Sequence, residues 1–459
     1  MTLLAGVGTA DITPPCGVPH GCWGLRSGLA EGTHDPLLAR ALLLQEGARR
    51  IAIVSVDLVF ADEHLTEQIR RRVRQLVGLS ADEVLVNAAH NHSAPSVTRD
   101  QPVAALVDQP GFDGYRAALP DLVAGAVYAA HQARVPATVG AATGRAPGVS
   151  TNRVTPEADV DDTVTVLRVD AADGQSIALV VGFACHPITM GGHNLLWNAD
   201  YPGVVRSVVE ATWPDTACLF LQGCAGDLAP WNYWFGNLES LPMTFANRDR
   251  LGEELATRAV EIGRRIRPSR AGHLAAGSRQ LALTARHLPW SLTEIDAARE
   301  RLREQREPDY PKVWPDDLHT MNSAQRFPLH YQRLALESFR AIKLLESEPV
   351  MVEVQALRIG EVGLVGNPFE PFNELGVQIR AASPFSLTFP MGYCNGSHGY
   401  LPLAGDLDRI AGATLEEVLD QNLSRWAYGI TNTSIERGEA GRLVEASLDA
   451  LRAVYGDGR

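Results

Sequence analysis

The chain has 459 residues, a formal net charge of −13, a hydrophobic content of 45% and a charged content of 21%. This length can bury a large core, and the composition is ordinary for a soluble globular protein. The negative charge argues against nucleic acid or an anionic membrane as the main partner, and no apolar run reaches the roughly 18 residues of a membrane-spanning helix.

At the start of the chain, residues Met1–Gly6 carry neither a basic region nor a long apolar region. No export signal is therefore evident, and we expect a cytoplasmic protein. The next segments form a β-α-β pattern: Ile51–Leu58 (IAIVSVDL) predicts a buried strand, His64–Val77 an amphipathic helix, and Val84–Val86 a second strand. The elements predicted after them are the helix Tyr115–Ala133, the strands Thr163–Val169 and Ser176–Ala184, the helix Pro202–Ala211, the strand Ala217–Leu221 and the helix Asn247–Ile266.

Residues Leu288–Glu348 interrupt this alternation, because they are rich in Arg and Glu and mostly helical in pattern. We interpret them as a helical excursion that forms a wall or lid over the site. The α/β pattern resumes at Met351–Val365 and Leu387–Tyr393, and the amphipathic helix Gly441–Tyr455 closes the chain. The sequence therefore predicts an α/β fold with a mixed β-sheet core and flanking helices, with residues 1–459 forming one domain.

The first chemical signal is the pair His90 and His92, which follows the strand ending at Val86 in the stretch VLVNAAHNHSAPS. On an extended backbone, residues i and i+2 face the same side, so both imidazoles are expected to point one way. Two converging nitrogen donors suit a transition-metal site. An HxH pair alone remains a weak signal.

Three later segments also place metal-ligand residue types just after predicted strands, where α/β proteins build their sites. His186 follows Ile177–Cys185, Glu370 follows Gly363–Gly366, and Tyr400 follows the strand that ends at Tyr393. Two imidazoles, one carboxylate and an open position would suit a catalytic zinc. Each residue also has a purely structural interpretation: a satisfied core histidine, a helix cap and a packed aromatic, respectively.

The order and local wording of these segments resemble the catalytic N-terminal domain of the neutral (non-lysosomal) ceramidases. The matching segments are colinear: GVGTADITPP at Gly6–Pro15, HNHS at His90–Ser93, Asn152-Arg153, FACHP at Phe183–Pro187, DYPG at Asp200–Gly203, QGCAGDLAP at Gln222–Pro230, the loop Gly366–Glu370, and Gly399-Tyr400. The combination is far more specific than any one motif.

The resemblance implies a zinc ion bound by His90, His186, Glu370 and Tyr400. It also implies a ceramidase-like hydrolase that cleaves a non-peptide amide bond of an N-acyl substrate with metal-activated water.

The same resemblance places His92 and Arg153 beside the metal, where they would hold the substrate carbonyl or the oxyanion formed from it. His92 could also protonate the leaving amine. Asp227 would orient one of these groups or the water.

The sequence departs from the ceramidases where the substrate is concerned. Ala229 in GDLAP stands where the family has Ser, and Leu401–Leu415 contains no counterpart of a further tyrosine. We also expect no C-terminal immunoglobulin-like domain. These differences weaken the case for a membrane sphingolipid, so the substrate is left open between a lipid-like and a small soluble N-acyl compound. The pocket walls are expected to include Trp231, Tyr233 and Trp234.

Other functions remain possible on the sequence alone. A zinc-dependent esterase or lactonase would use the same site on a different bond, and a barrel-type amidohydrolase would also carry HxH after its first strand. A cysteine hydrolase would use Cys185 or Cys224, although the six scattered cysteines are expected to be reduced thiols with no sign of activation. A catalytically inactive binding homologue is the alternative outside enzymes. The sequence does not indicate the oligomeric state.

Overall fold

The structure is a computed structural model that describes residues 2–22, 26, 28–98, 112–155, 157–230, 243–269, 273–305, 328–421 and 428–456. The strands are β1 Leu3–Asp11, β2 Gly32–Thr33, β3 Leu38–Glu46, β4 Arg49–Val56, β5 Val84–Ala88, β6 Val135–Arg145, β7 Ser150–Asn152, β8 Thr163–Ala171, β9 Ser176–Phe183, β10 Leu196–Trp197, β11 Ala217–Gln222, β12 Leu228–Pro230, β13 Leu274–Leu283, β14 Val350–Ile359, β15 Val362–Gly366, β16 Glu370–Pro371, β17 Leu387–Met391 and β18 Tyr400–Leu401. The helices are α1 Glu63–Val77, α2 Phe112–Gln132, α3 Asp200–Thr212, α4 Phe245–Arg265, α5 Leu292–Arg303, α6 Pro328–Leu345, α7 Asn373–Ala382, α8 Ala404–Leu407, α9 Leu415–Gln421, α10 Tyr428–Thr431 and α11 Glu439–Gly456, with 3₁₀ turns at Ala81–Glu83 and Asp408–Ile410.

The largest sheet has eight strands in the order β11-β9-β8-β6-β1-β3-β4-β5. Two of its strand pairs, β4–β5 and β9–β11, are parallel and are connected by α1 and α3, whereas its other pairs are antiparallel. A parallel pair needs such a crossover, so the β-α-β prediction is confirmed.

A second sheet of four strands, β13-β14-β15-β17, packs against the first. Side chains on β3 show how the layers form, because Ala41 and Leu43 face α1 and α2 whereas Leu42 and Leu44 face the second sheet. The second sheet buries its far face against α7 and α11. The described chain is thus layered helix, sheet, sheet, helix, and the predicted fold class is confirmed.

Several elements differ from the sequence-based expectations. The strands β3, β6 and β13 were not predicted, and the open mixed sheets contradict the barrel-type amidohydrolase alternative. The described part of the excursion contains α5 and α6. Trp290, just before α5, and Phe339 of α6 pack in one cluster with Tyr400. Its central residues, 306–327, lie outside the described residues. That the chain forms one domain stays a prediction.

All six cysteines are unpaired, as expected for reduced thiols. Among the described residues, no helix combines the length and the apolar character needed to cross a membrane. The predicted cytoplasmic location stays a prediction.

Candidate metal centre

The candidate site lies where the carboxyl ends of strands from the two sheets meet. Two isolated β-bridges, Asn87–Cys394 and Gly223–Met391, join the sheets at this point. The Asn87 amide donates to the carbonyl of Gly392 at 2.9 Å and accepts from the backbone N–H of Gln222 at 2.8 Å. Because these groups are buried, this hydrogen bonding fixes the loops that follow β5, β11 and β17 relative to one another.

His90 follows β5 in a left-handed conformation, with a φ of 62°. The expectation of an extended backbone through the His90–His92 pair is therefore wrong: the chain turns at His90, and the i, i+2 argument does not apply. The two imidazoles converge nevertheless, since the turn brings their Nε2 atoms to 3.1 Å.

His90, His186 and Glu370 present three ligand atoms to one another. His90 Nε2 and His186 Nε2 are 3.1 Å apart, and each lies 3.1 Å from Oε2 of Glu370. All three side chains are buried. These residues, each predicted to follow the end of a strand, thus lie together although they are far apart in the sequence.

Backbone carbonyls fix the orientation of both imidazoles. His90 Nδ1 donates to the carbonyl of Val59 at 3.0 Å, and His186 Nδ1 donates to the carbonyls of Ala225 at 2.6 Å and Leu228 at 3.1 Å. Each Nε2 is then the ring nitrogen with the lone pair, which is how metal-ligating histidines are held.

The charge states also suit a cation. Burial opposes the ionisation of Glu370, but its contacts with His90 and His186 outweigh it and lower the pKa of the carboxyl well below its usual value. Burial, followed by the charge of Arg153, lowers the pKa of His186 to about 3. Near neutral pH the cluster therefore holds an ionised carboxylate and a neutral imidazole, the forms that bind metal.

Arg153 and Tyr400 flank the cluster. Nη2 of Arg153 lies 3.1 Å from Nε2 of His186, donates to the Tyr400 hydroxyl at 3.0 Å and donates to the Gly226 carbonyl at 2.8 Å. Tyr400 is placed by a short parallel pairing of β16 with β18, in which Glu370 is its direct neighbour. The predicted phenol and guanidinium are thus both beside the imidazole–carboxylate group.

Asp227 does not face the cluster but supports it. Its carboxylate accepts hydrogen bonds from the side chain of Asn152 at 2.7 Å and from the backbone and side chain of Asn373 at 2.6 and 2.8 Å. Its carbonyl accepts from the N–H of Arg153 at 2.7 Å. The buried carboxylate therefore connects the chain before Arg153 to the helix that follows Glu370.

His92 differs from its partner in the pair. Burial lowers the pKa of His92 well below its usual value, and the neighbouring charges of His90, His186, Arg153 and Arg26 lower it further. An imidazole in this state is neutral near pH 7, so it can accept a proton before it donates one.

The geometry admits a metal ion at two overlapping sets of atoms. The imidazole nitrogens of His90, His92 and His186 all lie within 4.8 Å of one another. The His90–His186–Glu370 set is tighter, and its 3.1 Å edges are close to the spacing of about 3.3 Å that tetrahedral ligands adopt at zinc bond lengths. A cation bound between these two imidazole nitrogens and the carboxylate oxygen would stabilise all three.

Three residues at the site were not predicted from the sequence. Arg26 donates to the carbonyl of His92, Cys22 is influenced electrostatically by Glu370, and the ring of Tyr393 lies 4.4 Å from that of His90. None of them belongs to a motif with a known spacing. The GCWGLR stretch and the Tyr following β17 offered no signal beyond their residue types.

Other expected site features have different outcomes. Trp231, Tyr233 and Trp234 lie outside the described residues. Burial raises the pKa of the Cys185 and Cys224 thiols, which is the reverse of an activated nucleophile and disfavours a cysteine hydrolase. Ala229 is fully buried on β12, paired with Thr151 of β7.

The fold and this centre define a layered α/β protein with a buried histidine–carboxylate cluster that could hold a metal ion. Residues 3–230 match the family model "Neutral/alkaline non-lysosomal ceramidase, N-terminal". The resemblance read from the sequence is thereby confirmed over the N-terminal half of the chain.

Individual proteins agree with that recognition. The neutral ceramidase of Mycobacterium tuberculosis is 28% identical over 259 residues, which cover 50% of this chain and 40% of that protein. The matched region therefore spans about two fifths of this relative. The crystal structure of neutral ceramidase from Pseudomonas aeruginosa covers 99% of this chain and 75% of its own, with a TM-score of 0.71 and 20% identity. A ceramidase complexed with C2 gives the same TM-score at 19% identity, covering 100% of this chain and 76% of its own. These structures establish a ceramidase-like fold.

Proposed function

We propose that the protein is a zinc-dependent hydrolase that cleaves a non-peptide amide bond in an N-acyl substrate. The observation that carries the proposal is the 3.1 Å triangle of His90 Nε2, His186 Nε2 and Glu370 Oε2, with both histidines oriented by backbone carbonyls. The similarity of the N-terminal half to neutral ceramidases supports an N-acyl amide as the bond that is cleaved.

We take His90, His186 and Glu370 as zinc ligands, with Tyr400 as the fourth. This set is preferred over the three imidazoles because its edges are equal and it includes a carboxylate that offsets part of the ion's charge. Two imidazoles, a carboxylate and a phenol oxygen suit zinc, and all of these side chains are buried.

When bound, zinc would supply Lewis acidity, activating water for attack and polarising the substrate carbonyl. Arg153 would hold the developing oxyanion, because its charge is fixed and its Nη2 already faces the ligand atoms. His92, neutral at rest, would accept the proton of the attacking water and pass it to the leaving amine. Asp227 would act as a positioning residue for Arg153.

The substrate class is the finer part of the proposal. Ala229 offers no hydroxyl, and the chain shows no counterpart of the further family tyrosine in Leu401–Leu415. We therefore favour an N-acyl compound other than a long-chain ceramide. An ester or lactone substrate, or binding without turnover, are the outcomes that would replace the amide proposal.

Metal analysis and a substrate panel test the proposal together. Protein purified without added metal should contain about one zinc per chain, and chelation should abolish hydrolysis until zinc is restored. The panel sets soluble N-acyl amines beside short- and long-chain ceramides, matched esters and lactones. A protein that cannot take up zinc would contradict the metal assignment, and cleavage restricted to esters would contradict the amide assignment.

Variants of the histidine pair separate the two roles. His90→Ala should lose zinc, whereas His92→Ala should keep zinc and lose turnover. His287→Ala is the matched control, because the His287 side chain is 74% exposed and lies outside the cluster. Full turnover in His92→Ala would refute its proposed part in the reaction.

A further inference from the structure

Arg26 lies against the loop that carries His92. Its Nη2 donates to the His92 carbonyl at 3.1 Å, and Nε2 of the same histidine lies 3.1 Å from Nε2 of His90. His92 therefore lies between the Arg26 guanidinium and the proposed metal centre. The proposed reaction gives Arg26 no role.

Two of the three nitrogens of the Arg26 guanidinium donate to no described residue. Its Nε and Nη1 atoms are shielded from solvent and form no hydrogen bond with the described residues. Nor does any described carboxylate form an ion pair with it. A half-buried cation whose Nε and Nη1 are shielded in this way is costly unless a bound anion compensates its charge and its donors.

The surrounding charge is also unbalanced. The half-buried Cys22, four residues before Arg26, is under the electrostatic influence of Glu370, Arg26 and Arg153. Two guanidinium groups thus share this space with one carboxylate. That carboxylate is already engaged by two imidazoles, at 3.1 Å from each. The space is positive even before a divalent cation is added, so it favours an anionic ligand.

We infer that Arg26 binds a carboxylate carried by the substrate next to the scissile amide, which makes N-acyl amino acids the substrate class. In such a compound the carboxylate is attached to the carbon that bears the amide nitrogen, so it lies close to the reacting carbonyl. Arginine suits this role because it is permanently charged and presents several donors. The inference rests on the proposed function, since it names the substrate of the same site.

Binding to metal-free protein isolates the contribution of Arg26, because a carboxylate could otherwise bind the metal. The probes are N-octanoylglycine and its neutral counterpart N-octanoylglycinamide, measured by calorimetry on chelated, gel-filtered full-length protein. We expect the carboxylate to bind at least about tenfold more tightly than the amide, as for a charge-assisted hydrogen bond. Arg26→Met should remove this preference by weakening the binding of N-octanoylglycine.

Two further variants keep the result interpretable. Arg26→Lys retains the charge and should retain part of the preference, which also guards against misfolding of the Met variant. Arg264→Met replaces an exposed arginine near the end of α4 and should change neither affinity. Equal binding of the two probes by the wild type, or an undiminished preference in a folded Arg26→Met, would overturn the inference.

A third probe and a turnover arm distinguish the remaining outcomes. The succinic half-amide of octylamine carries its carboxylate on the acyl side, and tighter binding of this compound would overturn the assignment to N-acyl amino acids. With zinc restored, N-octanoylglycine should be cleaved with a higher kcat/KM than the glycinamide, mainly through a lower KM. Carboxylate binding that depends on Arg26, without cleavage of any amide, would refute the proposed function and leave the binding site standing.

Discussion

Gly226 is the point where the loop carrying Asp227 touches the segment carrying Glu370. Its N–H donates to the Pro371 carbonyl at 2.8 Å. Its own carbonyl accepts from Nη2 of Arg153, also at 2.8 Å. A Cβ added at this position would lie 2.3 Å from the Glu370 carbonyl oxygen, where real Cβ contacts are essentially never below 3.0 Å, so the loop and β16 would have to separate by about 0.7 Å. Because the opposing atom belongs to the backbone, no side-chain rotation relieves this contact.

The substitution Gly226→Ala should therefore displace Glu370 relative to His90 and His186. A misplacement approaching 1 Å can cost about 100-fold in rate, so we expect kcat to fall by about 10- to 100-fold. Zinc should bind more weakly, because one ligand atom of the 3.1 Å triangle moves. Overpacking should also lower the free energy of unfolding by about 1–3 kcal/mol.

Chelator competition, hydrolysis of the best substrate and urea unfolding measure these three effects. Gly441→Ala is the matched control, since Gly441 lies in α11 and its added Cβ would meet nothing within 4 Å. That control should be neutral, or stabilising by about 0.5–1 kcal/mol. Wild-type zinc affinity and kcat in Gly226→Ala would refute the reasoning that this close approach positions the centre.

Three further predictions concern the surroundings of the centre. Tyr393→Phe should stabilise the metal-free protein by about 1 kcal/mol in urea unfolding, because the buried Tyr393 hydroxyl has no partner among the described residues, and a destabilised variant would show that it has one. Asp227→Ala should lower kcat by about 10- to 100-fold and leave three donors unpaired, yet change KM little, since the lost carboxylate holds Asn152, the residue before Arg153; a KM effect alone would contradict this. Burial raises the pKa of Asp200 from 3.8 to about 6, so its protonation stabilises the fold at low pH, and that stability is lost as pH rises through about 6. Relative to Asp200→Asn, the wild type should therefore lose about 2 kcal/mol in urea unfolding between pH 4 and pH 7, and a constant difference would contradict the assignment.

The strongly periodic elements of the fold could be predicted from the sequence. The helix predicted at His64–Val77 is observed at Glu63–Val77, because its apolar residues recur at helical spacing and Asp62 and Gly78 cap its two ends. In contrast, β3 was not predicted. Its residues Leu38–Glu46 are mostly buried on both faces of the sheet, so no alternation of polar and apolar side chains marks it as a strand.

The composition of the centre was predictable for a different reason. His186, Glu370 and Tyr400 follow predicted strands, and ends of neighbouring strands meet at one edge of an α/β core. Arg26 could not be found in this way, because its position depends on the path of an irregular loop that no periodicity describes. Arg26 stands out because its shielded Nε and Nη1 donate to no described residue, and this cannot be read from the sequence.

The backbone around the centre explains why the extended interpretation of the histidine pair was wrong. Cys22, His90, Tyr393 and Asn395 all adopt positive φ values between 55° and 62°, although none is glycine. Such conformations are costly and persist only where the surroundings determine them strongly. Asn395 illustrates the constraint: its side chain accepts from the N–H of Val86 at 2.9 Å and donates to Gln355 at 2.7 Å, which ties the loop after β17 to β5. Buried hydrogen bonds between the two sheets therefore hold these left-handed turns in place. As a result, His90 is directed toward His186 instead of along the strand. Local residue preferences oppose the turns at Cys22 and Tyr393 and merely tolerate those at His90 and Asn395, so the geometry of the centre follows mainly from tertiary structure.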